Sequence, residues 1–202
     1  MKEAAYTLTS AYGSNQLLGW YARGLKQAKH GEFLYLLFKN IINAASLTSR
    51  DFVLQVEGCA GVLVWSLQGN INTWVPSYLA GTFKLARLTG FSSALKTSMK
   101  FQASCDKVRR KMINRDHYLT INYLGVLPNE QRKGFGTALL QHVLIKADAA
   151  HYPTYVEVSD AGAVAFFTKF GFTVQGEVNI NNTTVTLMIR EPIVESLCSI
   201  SL

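Results

Sequence analysis

Cysteine and proline are both scarce in this chain. The three cysteines, Cys59, Cys105 and Cys198, stand far apart. Their spacing offers neither a zinc site nor a disulfide framework. No metal is therefore expected, and the thiols read as buried, inert groups in a reducing compartment. Four prolines in 202 residues, with 49% hydrophobic residues, exclude a disordered chain and call for one packed domain spanning residues 1–202. Long apolar runs are missing as well. The longest, near residues 33–38 and 59–67, are far too short to cross a bilayer. The N-terminus lacks a charged region followed by an apolar core and a cleavage site. A cytoplasmic protein without a membrane partner is the expectation.

Acidic residues are in deficit. Twenty Lys and Arg against thirteen Asp and Glu leave a formal charge of +7. Such a charge suits nucleic acid, an anionic surface or an anionic cofactor. The basic residues are scattered, apart from Lys107, Arg109, Arg110, Lys111 and Arg115. That cluster falls on a predicted helix with no aromatics between the charges. It reads as a solvated helix face, so nucleic acid is not expected.

What the chain does have is concentrated in HYLTINYLGVLPNEQRKGFG, residues 117–136. Residues 118–126 are β-branched, aromatic and apolar, as a buried strand requires. Pro128 and Asn129 stop it. Residues 137–149 then place Leu139, Leu140, Val143, Leu144 and Ala147 at helical spacing. The first amides of a helix lack internal partners and carry roughly half a positive charge. Gly134 and Gly136 bring no side chains to that helix start, so a diphosphate can approach the amides. Arg132 and Lys133 add cationic charge. A glycine pair in this position also serves simply as a tight turn. Two rival motifs are excluded by spacing: no G-x-x-x-x-G-K-[ST] run exists, and the third glycine of a dinucleotide fingerprint is replaced by Leu139.

These residues, together with their context, resemble the acetyl-CoA motif of the GNAT superfamily of N-acetyltransferases, Q/R-x-x-G-x-G/A after a strand. Thr154-Tyr155-Val156-Glu157-Val158-Ser159 is similar to that family's fifth strand. AVAFFTKFGF, residues 163–172, resembles the helix that follows it. Residues 61–65, 85–90 and 117–119 are similar to the puromycin N-acetyltransferase-like branch. The resemblance implies an α/β (α+β) GNAT fold: a mixed, mostly antiparallel sheet with splayed fourth and fifth strands, flanked by helices. It places an acetyl-CoA core at 117–190 and a helical insert at about 78–113. The family's opening strand has no counterpart before the first predicted helix.

Around that core the chain reads as follows. Residues 2–12 form a short helix, with a break at Gly13-Ser14 and Asn15 as N-cap of a second helix. Residues 31–47 form an amphipathic helix with Phe33, Leu36, Leu37, Ile41 and Ile42 inward. Residues 51–57 and 59–67 form a hairpin turning near Glu57-Gly58. A loop spans 69–77. Residues 172–178 and 183–190 form a final antiparallel pair around Asn181-Asn182, and the residues after Glu191 a tail.

The resemblance also implies a chemistry: acetyl transfer from acetyl-CoA to a small amine in a ternary complex, with a homodimer left open. Backbone groups of Leu124, Gly125 and Val126 would pair with the pantetheine arm, and an amide there would polarise the thioester carbonyl. Gln131, Arg132, Lys133, Gly134, Phe135, Gly136 and Thr137 would hold the pyrophosphate. Trp20 and Tyr21 would wall the acceptor site, or else belong to the core. An amine of pKa about 10 is neutral in only about one molecule in a thousand at pH 7, a cost of roughly 4 kcal/mol. Candidate bases are Glu157, His117 and Asp160. Glu157 is favoured as a mid-strand carboxylate, with an arginine ion pair as its alternative use. The family's general-acid tyrosine is matched by Phe167, which has no proton and would only contact the cofactor, and its helper asparagine by Ala163. Water, Ser159 or Thr168 would have to supply the thiolate's proton, which points to a slow enzyme or to a non-catalytic acyl-CoA-binding domain.

Overall fold

The structure is a computed structural model that describes residues 1–21, 29–68, 109, 111, 113, 117–180 and 183–193. The chain opens with α1 (Lys2–Ala11), α2 (Gln16–Tyr21) and α3 (His30–Thr48). A hairpin follows, β1 (Val53–Val56) and β2 (Gly61–Gln68), turning through Glu57 and Gly58, both at positive φ. Then come β3 (Tyr118–Val126), α4 (Phe135–Ala149), β4 (Thr154–Val158), α5 (Ala161–Thr168), β5 (Thr173–Ile180) and β6 (Thr183–Arg190). Among the described residues six strands make one sheet in the order β1-β2-β3-β4-β6-β5. The predicted hairpin, central strand and last strand pair are all present. Among the described residues no strand precedes α1 or lies outside β1 in the sheet.

Alternation along the strands divides the core between two faces. Val62 and Val64 of β2 pack with Ala5 and Leu8 of α1 and with Phe38, Ile41 and Ile42 of α3. Leu63 and Trp65, one residue out of phase, face the other way with Leu119, Ile121, Val156 and Val158. There they meet Leu140, Val143 and Leu144 of α4 and Phe167 of α5. In α3 the buried stripe runs through Leu34, Phe38, Ile41, Ile42 and Ala45, an i, i+4, i+7, i+8, i+11 pattern. Leu36 and Leu37, expected inward, flank that stripe and are half-buried. Most of the predicted helical insert lies outside the described residues. Of its basic cluster, Arg109 and Lys111 are helical, and nearby Ile113 packs on Tyr155, Leu187 and Ile189. Cys59 is half-buried, and burial pushes its thiol up. Cys105 and Cys198 fall outside the described residues.

The joint between β3 and β4 positions everything that follows. These strands are parallel, as a β-α-β crossover through α4 requires. They pair only at Leu119↔Thr154, Thr120↔Tyr155 and Ile121↔Val156. Beyond that point β3 stays paired with β2, and β4 with β6, so the two strands part. A bulge marks the place: Ile121 and Tyr123 pair with adjacent residues of β2, leaving Asn122 as the extra residue. A bulge bends and twists its strand. The Asn122 amide anchors it by donating to Ser66 Oγ at 2.9 Å.

Candidate active site

The parted strands open at their carboxyl ends, where open α/β sheets receive ligands. On the β3 side the exposed backbone edge is already engaged by the chain's own side chains. Tyr12, just past α1, donates its hydroxyl to Leu124 O at 3.2 Å and accepts from Leu124 N at 3.3 Å. Gln131 Nε2 donates to Val126 O at 3.3 Å. Tyr12's ring lies 5.4 Å from Phe38 and 5.8 Å from Tyr123, centroid to centroid. Burial pushes its phenol up to about 12. Between Leu124 and Val126, Gly125 is crossed by α1: an added Cβ would lie 2.9 Å from Ala11 Cβ and from Leu8 Cδ2. That glycine therefore serves helix-on-strand packing, a use the sequence reading did not give it.

The glycine turn sits at the same end. A 3-10 turn, Pro128–Glu130, leaves β3. Arg132 (φ +66) and Gly134 (φ +88) then adopt left-handed conformations, and α4 begins at Phe135 without a side-chain cap. The first helical bond runs from Ala138 N to Gly134 O at 2.9 Å. The amides of Phe135, Gly136 and Thr137 thus precede the intrahelical ladder. Successive amides in such left-handed turns form a concavity that suits an anion. At Gly136 an added Cβ would make only ordinary contacts, 3.7 Å to Val126 and 3.8 Å to Phe166. Internal packing does not demand a glycine there, so its bareness leaves room on the outer side. Lys133 Nζ reaches Glu130 at 2.7 Å on the surface, and Arg132 is exposed. The residues present thus fit a diphosphate.

Across the opening, Glu157 lies on β4 just past the last residue paired with β3. Its Oε1 accepts from Tyr155 OH at 2.9 Å and stands 4.0 Å from the Arg109 guanidinium. Ser159 Oγ accepts from Asn15 Nδ2 at 3.1 Å, which ties the α1–α2 turn to the end of β4. Asn15 also caps α2, accepting from Leu18 N at 3.1 Å. Asp160 is used as the cap of α5, accepting from the amides of Gly162 and Ala163. Thr168 donates back to Val164 O.

His117 is not brought to this site. It precedes β3 at the opposite end, exposed, with its ring 5.6 Å from Tyr152. Along an extended strand that places it about 16 Å short of Asn122, where the strands part. Phe167 is 5% exposed and packs among Phe166 and Phe172, well inside the core. Trp20 and Tyr21 close α2, and their side chains lie outside the described residues. Sequence reasoning missed Tyr12. Its only signal was position: Ala5, Leu8 and Tyr12 form one helical stripe, which says that Tyr12 faces inward but not which strand it meets.

Residues 102–172 match the acetyltransferase (GNAT) family. The chain has a GNAT fold. A Corynebacterium glutamicum structure described as histone acetyltransferase HPA2 and related acetyltransferase superposes with a TM-score of 0.60, at 16% identity over 96% of this chain and 91% of that one. A Staphylococcus aureus N-acetyltransferase gives 0.59, at 14% identity over 94% and 96%. At those identities the likeness shows the fold alone. An uncharacterized N-acetyltransferase of Schizosaccharomyces pombe is 25% identical over 96% of this chain and 81% of its own. The family match and this relative support acetyl transfer as the chemistry. In GNAT terms β3 and β4 are the fourth and fifth strands, and the opening between them is the predicted splay.

Proposed function

We propose that this chain transfers an acetyl group from acetyl-CoA to the primary amine of a small molecule, by direct attack in a ternary complex. The observation that carries the reading is the parting of β3 and β4 beyond Ile121 and Val156, with an uncapped, glycine-bearing helix start at the same end. In this reading the pantetheine arm runs along the edge formed by Leu124, Gly125 and Val126. Arg132, Lys133 and the amides of residues 134–137 hold the pyrophosphate, and Gln131 fixes the turn through Val126 O. Glu157 takes the amine's proton, and Ser159 helps to solvate the departing thiolate. Trp20 and Tyr21 wall the acceptor. Resemblance to the puromycin-type branch favours an aminonucleoside-like amine. The cytoplasm is the proposed compartment and a homodimer the proposed assembly.

Magnitudes support an active but slow enzyme. A thiol of pKa about 8.5 leaves as thiolate at pH 7 for roughly 2 kcal/mol, and a missing general acid typically costs ~10²–10⁴-fold. The burial of Phe167 in the core favours a second reading, an acyl-CoA-binding domain without turnover. Thiol release from acetyl-CoA, measured against aminonucleosides, polyamines, aminoglycosides and short peptides, separates the two. Amine-dependent release is expected. Tight acetyl-CoA binding with no release for any amine would leave only the second reading, and no binding would remove both.

A further inference from the structure

We propose that the Tyr12 hydroxyl, rather than the backbone amide of Leu124, is the hydrogen-bond donor that meets the acyl carbonyl in the opening. The inference rests on acetyl-CoA occupying the parted strands. Leu124 N already donates to Tyr12 OH at 3.3 Å. The hydroxyl in turn donates to Leu124 O at 3.2 Å. Both bonds are longer than well-formed ones of their kind, about 2.7–3.0 Å, so little is lost when the phenol proton turns elsewhere.

The ring itself is fixed. Phe38 and Tyr123 flank it, and α1 is seated on Gly125 with no room for a methyl group. An acyl group sliding along this edge therefore meets a hydroxyl that cannot swing aside. Rotation about the Cζ–O bond moves only the proton, from Leu124 O to the incoming carbonyl oxygen. Leu124 N–H, still donating into the phenol oxygen, polarises the O–H and strengthens its donation. Burial keeps the phenol protonated, with a pKa near 12. It is far too weak an acid to protonate a thiolate whose conjugate thiol titrates near ~8.5. Its work is to hold developing charge.

The step then balances as follows. The amine lone pair forms the C–N bond while the carbonyl π pair moves to the oxygen held by Tyr12. Collapse restores the carbonyl and expels CoA thiolate with the C–S pair. The proton lost by the amine nitrogen passes through Glu157 and solvent, and the thiolate takes one from water.

The test compares wild type with Tyr12→Phe, which keeps the ring and its packing. Acetyl-CoA affinity is read by calorimetry, turnover by thiol release with the best amine, and the carbonyl band of bound [1-13C]acetyl-CoA by isotope-edited infrared spectroscopy. Tyr12→Phe is expected to lower kcat about 10²–10³-fold, to leave affinity within about threefold, and to return the downshifted carbonyl band towards its position in water. An unchanged kcat, an unchanged band, or tighter binding at full kcat would overturn the proposal and assign the carbonyl to Leu124 N–H. If wild type binds no acetyl-CoA, the acetyltransferase reading falls first. Should Tyr12→Phe not fold, a difluorinated tyrosine in place of Tyr12, a stronger donor, must lower the band further; an unmoved band overturns the proposal.

Discussion

Arg190 shows how much one side chain can tie together. It ends β6, is 6% exposed, and reaches two other segments. Its two terminal nitrogens donate to the carboxylate of Asp148 in α4 at 2.7 and 2.8 Å, and Nε donates to Phe170 O at 3.0 Å, in the turn after α5. Ile193 N adds a further bond to the same carboxylate. Hydrogen bonds from the guanidinium hold the Asp148 carboxyl below its ordinary value of 3.8. A depressed carboxyl contributes stability that is complete above its unfolded pKa and drains away as pH falls through the folded one. Removing one partner of a buried pair leaves the other charge uncompensated. Asp148→Asn is therefore expected to cost about 3 kcal/mol in urea denaturation at pH 7. It should also flatten the loss of stability that wild type shows below pH 3.8. Equal slopes in the two proteins would show that the pair does not govern acid stability. At this scale the sequence was partly legible. Asn15 as a cap and Glu157 on its strand follow from local rules. Tyr12 against Leu124, and Asp148 against Arg190, join residues 112 and 42 apart in the chain, where no local rule applies.

The unit that shapes the opening is α1 lying on β3. Gly125 permits contact between them, and that contact carries Tyr12 to the strand edge. Gly125→Ala would force a methyl to within 2.9 Å of two side-chain carbons, so α1 must shift. Overpacking of this kind costs typically 1–3 kcal/mol. Thermal denaturation should show that loss. Turnover should fall with it, because the shift lifts the phenol off Leu124. A stable variant with full turnover would mean that α1 is not held in place by this contact. Elements themselves were the most legible level. The strand at 118–126 and the helix after it match their predicted extents to within about two residues, because apolar period and glycine placement are local properties. The bulge at Asn122 was not legible. It arises from the register against β2, which depends on a partner strand far along the chain.

At the scale of the whole molecule, the sheet is two halves, β1-β2-β3 and β4-β6-β5, meeting at three residue pairs. A ligand that bridges both halves binds the folded state and not the unfolded chain. At 100 times its dissociation constant it should add about 2.7 kcal/mol to stability. Acetyl-CoA is thus expected to raise the melting temperature of wild type, measured by calorimetry with and without ligand. The rise should shrink in Arg132→Ala and at high salt, since exposed cations on a phosphate are screened. An equal rise in the variant would take Arg132 out of the cradle.

Sequence alone determined the strand–turn–helix unit, its glycines and cations, the hairpin before it and the strand pair after it. Each depends on side-chain period and backbone permissiveness within a short window. The tertiary structure decided which of the candidate residues share a site. Parallel pairing that stops at Ile121 and Val156 leaves Glu157 and Ser159 at the opening and His117 at the other end. Packing of α1 over Gly125 put a phenol on the edge of β3. Such placements follow from how separate elements bury their apolar faces against one another, and no stretch of the chain carries that information by itself.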